Sequence, residues 1–179
     1  MIDPVIQLTL RAGLATLFTA AAWHKLSDRT RFAASLRAYE LLPRALLSPI
    51  ARFLPALECC IAIGLLCAPS QAPAALASMA LLTGYTGAIA VNLARGRREI
   101  DCGCFASALR VPLSSWLIAR NLALIGASAL AVMPIGARSL NWVDLFTVVA
   151  AVIMLSLLSA AAQRLAQSGP ALLHSRGPR

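Results

Sequence analysis

The chain has 179 residues, of which 59% are hydrophobic and only 13% are charged, and its mean hydropathy is +0.76. This balance is far from that of soluble domains and predicts an integral membrane protein. Apolar stretches of about 20 residues, each long enough to cross a bilayer as a helix, occupy most of the chain. The sequence therefore excludes a separate extramembrane catalytic domain, and it contains neither a dinucleotide-binding nor a P-loop glycine motif. The net charge is +9, and the basic residues lie mainly between the apolar stretches. This placement indicates that they set the orientation of the chain in the membrane rather than bind nucleic acid.

Five apolar stretches predict an all-α bundle of transmembrane helices over residues 1–166, followed by a mobile tail at 167–179. The predicted spans are about Val5–Leu26, Pro49–Ala68, Ala72–Ala94, Pro112–Met133 and Val143–Gln163. The first lacks the basic start and short apolar core of a signal peptide, so we expect it in the mature protein. Arg120 lies inside the fourth stretch, and four spans are the alternative if that stretch does not cross. Gly84 and Gly87 in the third predict close helix packing.

Basic residues are concentrated at one end of these spans: thirteen flank that face, whereas only Arg138 lies at the other. The positive-inside rule then places the amino terminus outside the cytoplasm and the carboxyl terminus inside it. Alternation of the helices brings the ends of the first and third spans and the starts of the second and fourth to this basic face. The residues expected to be neighbours there are His24, Lys25, Arg52, Cys102, Cys104 and Trp116.

The segment between the third and fourth spans contains Cys102 and Cys104, separated by a single glycine. A thiol reacts where it is accessible and partly ionised, and a surface loop among arginines favours both conditions. Gly103 gives the backbone freedom to close a strained, easily exchanged ring between the two thiols. Asp101 opposes this by raising the neighbouring thiol pKa. The spacing predicts a redox pair, and the alternatives are ordinary loop thiols or two ligands of a metal, a set too small for a zinc site.

The second span contains three further cysteines, Cys59 and Cys60 near its middle and Cys67 near its far end. Cysteine in an apolar helix is usually a small packing residue. Cys60 and Cys67 lie about 10 Å apart along a continuous helix, too far to form a disulfide. We therefore expect these three thiols to pack rather than react.

Glu58 lies within the second predicted span, where an unpaired carboxylate is costly, so it needs a partner or a proton. Arg120, at a similar depth in the fourth span, is the expected partner, and Arg11 in the first span is the second choice. The pair has two interpretations, an ion pair that fixes helix rotation or a proton-handling group in a quinone or substrate cavity. His24, at the end of the first span, is either an interfacial anchor or a general base for the thiols.

Four motifs together resemble the methylamine-utilisation MauE family, and more widely the DoxX/DoxD-type redox-associated membrane proteins. The motifs are Trp23-His24-Lys25-Leu26, Phe32 with Tyr39-Glu40-Leu41-Leu42-Pro43, Leu54-Pro55-Ala56-Leu57-Glu58 and Asp101-Cys102-Gly103-Cys104-Phe105. The resemblance covers residues from about 5 to 160. The family pattern has glycine where this chain has Ala106, a departure that concerns the turn and not the thiols.

The resemblance implies a multi-pass protein of the bacterial inner membrane that helps methylamine dehydrogenase to mature. The small subunit of that enzyme is exported, rich in disulfides and carries a tryptophan-derived quinone, and the implied partner is the membrane-tethered, thioredoxin-like MauD protein. Thiol-disulfide oxidoreductase activity of the chain itself is one implied mechanism. The alternatives are a non-catalytic scaffold for such a partner and a subunit that binds a quinone or another small molecule.

The two lines of inference differ on sidedness. The resemblance implies thiols that serve the periplasm, whereas the basic residues predict that Cys102 and Cys104 face the cytoplasm. Cytoplasmic thiols would carry reducing equivalents towards the periplasm, and periplasmic thiols would exchange directly with the partner. We predict the cytoplasmic side.

Overall fold

The computed structural model of the protein describes residues 2–97, 113–134, 136 and 138–174, without the side chains of 163 and 166–174. Within these ranges the chain is helical and contains no β-strand. The helices are α1 (Pro4–Ser27), α2 (Arg29–Ala38), α3 (Arg44–Leu66), α4 (Gln71–Ala94), α5 (Ser115–Val132) and α6 (Trp142–His174), with a 3₁₀ turn at Ala68–Ser70 before α4. Five helices, all but α2, are long and apolar enough to cross a membrane. The predicted helical membrane bundle of five spans is therefore confirmed.

Local capping explains the helix starts around the basic face. The Asp28 carboxylate accepts a hydrogen bond from the Arg31 backbone N–H at 2.9 Å and so begins α2. This short helix lies in the segment that the sequence analysis treats as a loop. The next helix also begins earlier than predicted, at Arg44, directly after Pro43.

The core forms where α1, α3, α4 and α5 meet. α1 contacts four other helices, and its most extensive packing is against α3, while α4 packs mainly against α5. The buried apolar residues of this core are Leu14, Ala15, Phe18, Ile61, Ala62, Leu65, Ala74, Ala75, Leu82 and Ala131. Between α4 and α5, the hydroxyl groups of Ser78 and Ser128 are hydrogen-bonded at 2.9 Å, which adds a polar contact between two buried helix faces.

Arg11 stabilises the end of the bundle opposite the basic face. Its guanidinium donates hydrogen bonds to the Gln71 side chain and, at 3.3 Å, to the Ala131 carbonyl oxygen. The Gln7 amide donates to the same carbonyl at 3.1 Å and to that of Met133 at 2.6 Å. These carbonyls end α5 and have no helical donor, so Arg11 and Gln7 cap that helix. Arg11, which the sequence analysis gave as the second choice of partner for Glu58, therefore contacts Gln71 and Ala131 instead.

α6 packs only against α1 among its main contacts and leaves most of its apolar surface exposed. Its start is held by the Arg138 guanidinium, which contacts the Asp144 carboxylate at 2.6 Å and the Asp3 carboxylate at 3.1 Å. The helix continues to His174, into the segment 167–179 that was predicted to be a mobile tail. Gly169-Pro170 is unfavourable inside a helix, so this last part of α6 continues against its local helix propensity.

The closest glycine-mediated packing lies between α3 and α4 at Gly64. A Cβ atom at this position would be 2.9 Å from the Ala74 Cβ atom, nearer than side chains tolerate. Gly84 and Gly87, which the sequence analysis assigned to close packing, have no neighbour within 4 Å of an added Cβ. They lie on exposed helix faces, where a small side chain brings no backbone closer.

We predict that Gly64→Ala lowers the free energy of unfolding by about 1–3 kcal/mol, because overpacking forces α3 away from α4. Gly84→Ala is the matched control, since it adds the same methyl group to open space and gains helix propensity. Thermal unfolding of the two variants in the same detergent measures the difference. Equal stability of both variants would contradict the close α3–α4 contact.

Candidate functional site

The site is built around an ion pair buried between α1 and α3. The Lys25 ammonium group at the end of α1 contacts the Glu58 carboxylate of α3, with side chains that are 3% and 0% exposed. The Tyr85 hydroxyl of α4 donates to Glu58 Oε1 at 2.7 Å and lies 3.0 Å from Lys25 Nζ. Three helices are therefore joined by one charged cluster, in surroundings where neither charge is stable alone.

Aromatic rings complete the surroundings of the Lys25 ammonium group. Its Nζ lies 4.8 Å from the centre of the Tyr85 ring and 5.3 Å from that of Phe32. Ring faces attract a desolvated cation, so the two rings replace part of the water that the ammonium group has lost. Phe32 belongs to α2, which thereby covers the cluster from the membrane surface.

In the structure Glu58 forms an ion pair with Lys25, which the sequence analysis did not consider as its partner, and the expected pairing of Glu58 with Arg120 stays a prediction. Arg120 nevertheless lines the same enclosed space, of about 20 Å³, together with Glu58, Lys25, Tyr85 and Asn121. Such a space is about the size of one water molecule. Lys25 was assigned to the membrane surface from sequence because it ends a span, but a long side chain at a helix end can also turn inward.

A larger apolar cavity of about 200 Å³, termed the Lys25 cavity below, opens beside this cluster. Its walls come from α2, from the segment between α2 and α3, and from α3 and α4. The polar groups among them belong to Lys25, Ser35, Tyr39 and Tyr85, and the remaining lining residues are Phe32, Leu36, Leu41, Leu42, Leu54, Ala88 and Ile89. An apolar cavity with few polar groups is the usual form of a small-molecule site.

The chain on either side of residues 98–112 is held close to this cavity. On one side, the Arg97 guanidinium contacts the Glu40 carboxylate at 2.6 Å, and this guanidinium keeps the pKa of Glu40 below its ordinary value. On the other side, Leu113 packs in a small cluster with Ile89 and Tyr39, both of which line the Lys25 cavity. Both ends of the segment therefore lie near the rim of the Lys25 cavity.

The predicted redox pair, Cys102 and Cys104, lies outside the described residues. The other three cysteines are free thiols, two on α3 and Cys67 directly after its end; Cys59 is half-buried, and Cys60 and Cys67 are exposed. His24 is half-buried at the end of α1, next to Lys25 in sequence. Its role as a base for the thiols stays a prediction. Within the described ranges, no group of three or more potential metal ligands is present.

Comparison with known proteins identifies the family of the helices that form the site. The sequence profile described as "Methylamine utilisation protein MauE" matches residues 3–134, from α1 to the end of α5. The chain belongs to the MauE family. It is 42% identical over 132 residues to the methylamine utilization protein MauE of Paracoccus denitrificans, covering 74% of this chain and 70% of that protein. It is 35% identical over 162 residues to the MauE protein of Methylophilus methylotrophus, covering 89% and 85%. No solved structure matches the chain.

MauE proteins take part in methylamine utilisation, and membership in this family, together with the five spans, identifies a multi-pass bacterial membrane protein. The MauE profile ends before α6, so the Lys25 cluster and its cavity lie wholly within the matched region. Sequence reasoning named Lys25 among the residues of the basic face and Glu58 as a charged group within the membrane, but it did not join the two, and it made neither Tyr85 nor Phe32 a site residue. The signal that could have identified Tyr85 is its polar hydroxyl group, which lies in a span without charged residues and needs a hydrogen-bond partner there.

We predict that Glu58→Gln and Lys25→Gln each destabilise the protein by about 3–5 kcal/mol, because each leaves one buried charge without its partner. The double variant, which removes both charges, should recover at least half of that loss. Unfolding in detergent, followed by circular dichroism, measures all three variants.

Arg95→Gln combined with Glu58→Gln is the control, because Arg95 is an exposed arginine beyond the end of α4 and does not line this space. This combination should give no recovery. A Lys25→Gln/Glu58→Gln variant that is no more stable than the single variants would contradict the observed pairing.

Proposed function

We propose that this chain is a membrane thiol-disulfide redox protein that supports disulfide formation in an exported protein. The proposed client is the small subunit of methylamine dehydrogenase, and the proposed partner is a membrane-tethered, thioredoxin-like protein of the MauD kind. The reacting groups are the thiols of Cys102 and Cys104. This role is consistent with membership in a family that takes part in methylamine utilisation.

One observation carries the proposal: both flanks of the segment that contains the two thiols are tied to the rim of the Lys25 cavity. Arg97 is bound through Glu40, and Leu113 through its packing with Tyr39 and Ile89. Cys102 is five residues along the chain from Arg97, so it lies within about 18 Å of that anchor by chain length alone. Of the other cysteines, Cys59 and Cys60 lie on α3 within the membrane span, and Cys67 caps the end of α3, at the far end of the span from the basic face.

The proposed chemistry is thiol-disulfide exchange. Direct exchange requires the two thiols on the periplasmic side, the orientation that the family resemblance implies and the reverse of the one predicted from the basic residues. In that orientation a thiolate of the reduced partner attacks the Cys102–Cys104 disulfide and forms a mixed disulfide, and the partner's second thiol then displaces the protein as a dithiol. Two thiols of the partner are oxidised and one disulfide of this chain is reduced, with two protons moving in the same direction as the electrons. A glycine-spaced disulfide is strained, which favours its reduction.

We predict that Cys102→Ser and Cys104→Ser each abolish maturation of the client, because exchange needs both sulfur atoms. The amount of variant protein in the membrane should stay unchanged, since Ser replaces each thiol in a segment that joins two spans. Alkylation with a mass-shifting reagent, with and without prior reduction, measures the disulfides of both the chain and its client. The matched control replaces Cys59, Cys60 and Cys67 together with Ala and should keep activity. Full maturation in the double Ser variant would refute the redox proposal and favour the non-catalytic scaffold.

The Lys25 cavity favours a second candidate function, the binding of a quinone or a similar lipid-soluble ring compound. Its walls are apolar and aromatic, which suits a ring, and the Lys25 ammonium, which has one N–H beyond those given to Glu58 and Tyr85, can donate a hydrogen bond to a carbonyl oxygen. This cavity sits beside a buried carboxylate, so proton-linked chemistry at a quinone is chemically accessible.

We predict, for this second candidate, that Ala88→Leu weakens binding of a short-chain ubiquinone analogue at least tenfold, because the larger side chain fills the cavity. Ala90→Leu is the matched control, since Ala90 lies two residues further along α4 on an exposed face. Quenching of tryptophan fluorescence by the analogue measures binding. Equal binding to both variants would rule out the cavity as the quinone site.

A further inference from the structure

A second groove, termed the arginine groove, lies between α2 and the first part of α3, away from the Lys25 cavity. It encloses about 480 Å³ and is lined by Leu26, Arg29, Ala33, Arg37, Leu47, Ser48, Ala51 and Arg52. Three of these eight residues are arginines and none is acidic. The groove therefore combines a strong positive charge with a floor of leucine and alanine side chains.

Helical spacing explains why the arginines converge. Arg29, Ala33 and Arg37 follow one another at intervals of four residues on α2, so they share one face of that helix. On α3, Ala51 and Arg52 follow Ser48 by three and four residues, so these three residues also share one face. The two faces meet across the groove, with the small side chains of Ala33 and Ala51 between the arginines.

The protein supplies no counter-charge to this groove within the described residues. The Asp28 carboxylate is engaged at the start of α2, where it accepts hydrogen bonds from the Arg31 N–H at 2.9 Å and the Thr30 hydroxyl at 2.8 Å. Glu40 pairs with Arg97 instead. Arg29, Arg37 and Arg52 form no ion pair in the part of the chain that the structure describes.

Arg52, which forms no ion pair with the described residues, lies within a membrane-spanning helix. It is exposed on α3, a membrane-spanning helix, about 12 Å along the axis from the first residue of that helix. Its neighbour Phe53 is 65% exposed, so this helix face is turned towards lipid. An arginine on such a face directs its guanidinium to the interface, where the phosphate groups of lipids are found.

We propose that the arginine groove binds the headgroup of an anionic glycerophospholipid. The guanidinium groups would contact the phosphate and its acidic headgroup, since a planar guanidinium matches phosphate oxygens in geometry and charge. The apolar floor, with Leu26 and Leu47, would contact the start of the acyl chains. This site is independent of the thiol chemistry proposed above, and basic pockets between membrane helices are a known form of lipid site.

The test is native mass spectrometry of the full chain in detergent with added phosphatidylglycerol or phosphatidylcholine. The wild type should retain phosphatidylglycerol at least tenfold better than phosphatidylcholine. The triple variant Arg29→Gln/Arg37→Gln/Arg52→Gln should lose about a hundredfold in affinity for phosphatidylglycerol, at about fivefold for each arginine. Arg95→Gln is the matched control, because Arg95 is exposed beyond the end of α4 and lies outside the groove.

Three results would overturn the proposal. These are equal retention of the two lipids by the wild type, unchanged phosphatidylglycerol binding in the triple variant, and displacement of the lipid by an equal concentration of soluble glycerol phosphate, which would assign the groove to free phosphate. If the triple variant fails to fold, the proposal is still tested by the preference of the wild type for phosphatidylglycerol and by the loss of phosphatidylglycerol affinity in the single variant Arg52→Gln. If the protein binds neither lipid but binds an acidic peptide, the groove is a site for a protein partner instead.

Discussion

A lysine and a glutamate face each other inside a membrane bundle, and the cost of separating them constrains the arrangement around them. Lys25 ends α1 and Glu58 lies on α3, so their contact fixes the rotation and depth of both helices. Tyr85 brings α4 into the same cluster through its hydroxyl, and Phe32 brings α2 over it. A buried pair contributes little net stability compared with an apolar pair of similar size, but it strongly disfavours any arrangement that separates the charges.

The Lys25 cavity follows from this constraint. Because α2 has to cover the ammonium group with Phe32, its inner face stands over α4 and encloses an apolar space between them. The segment from α2 to α3 closes one side of that space, and Glu40 within it binds Arg97. Tyr39, the residue before Glu40, also contacts the cluster that holds Leu113. The ion pair thus supports the surface against which both flanks of the cysteine-containing segment are held, which links a buried electrostatic contact to the proposed thiol chemistry.

The sequence predicts the spans well because each one repeats a strong local signal, an apolar stretch long enough for the bilayer. It predicts less well the features that depend on tertiary contacts. Arg120 was the first expected partner of Glu58 and Arg11 the second, yet Arg11 caps α5, and the observed ion pair is made by Lys25, whose long side chain reaches inward from a helix end. Gly64 forms the close α3–α4 contact, whereas Gly84 and Gly87 face open space, because helix rotation is decided by packing. Sidedness stays a prediction from the basic residues, since the same antiparallel bundle fits either orientation.

The bundle depends on the ion pair between Lys25 and Glu58 inside the membrane. Difference infrared spectroscopy of the reconstituted wild type and the Glu58→Gln variant measures the state of this carboxyl group directly. An ion pair predicts that the variant loses carboxylate stretching bands, with no loss in the region of protonated carboxylic acids, and that Lys25→Gln shifts the wild-type signal towards the protonated form. Loss of a protonated-acid band in Glu58→Gln, with Lys25 intact, would contradict the ion pair and the constraint that it places on α1, α3 and α4.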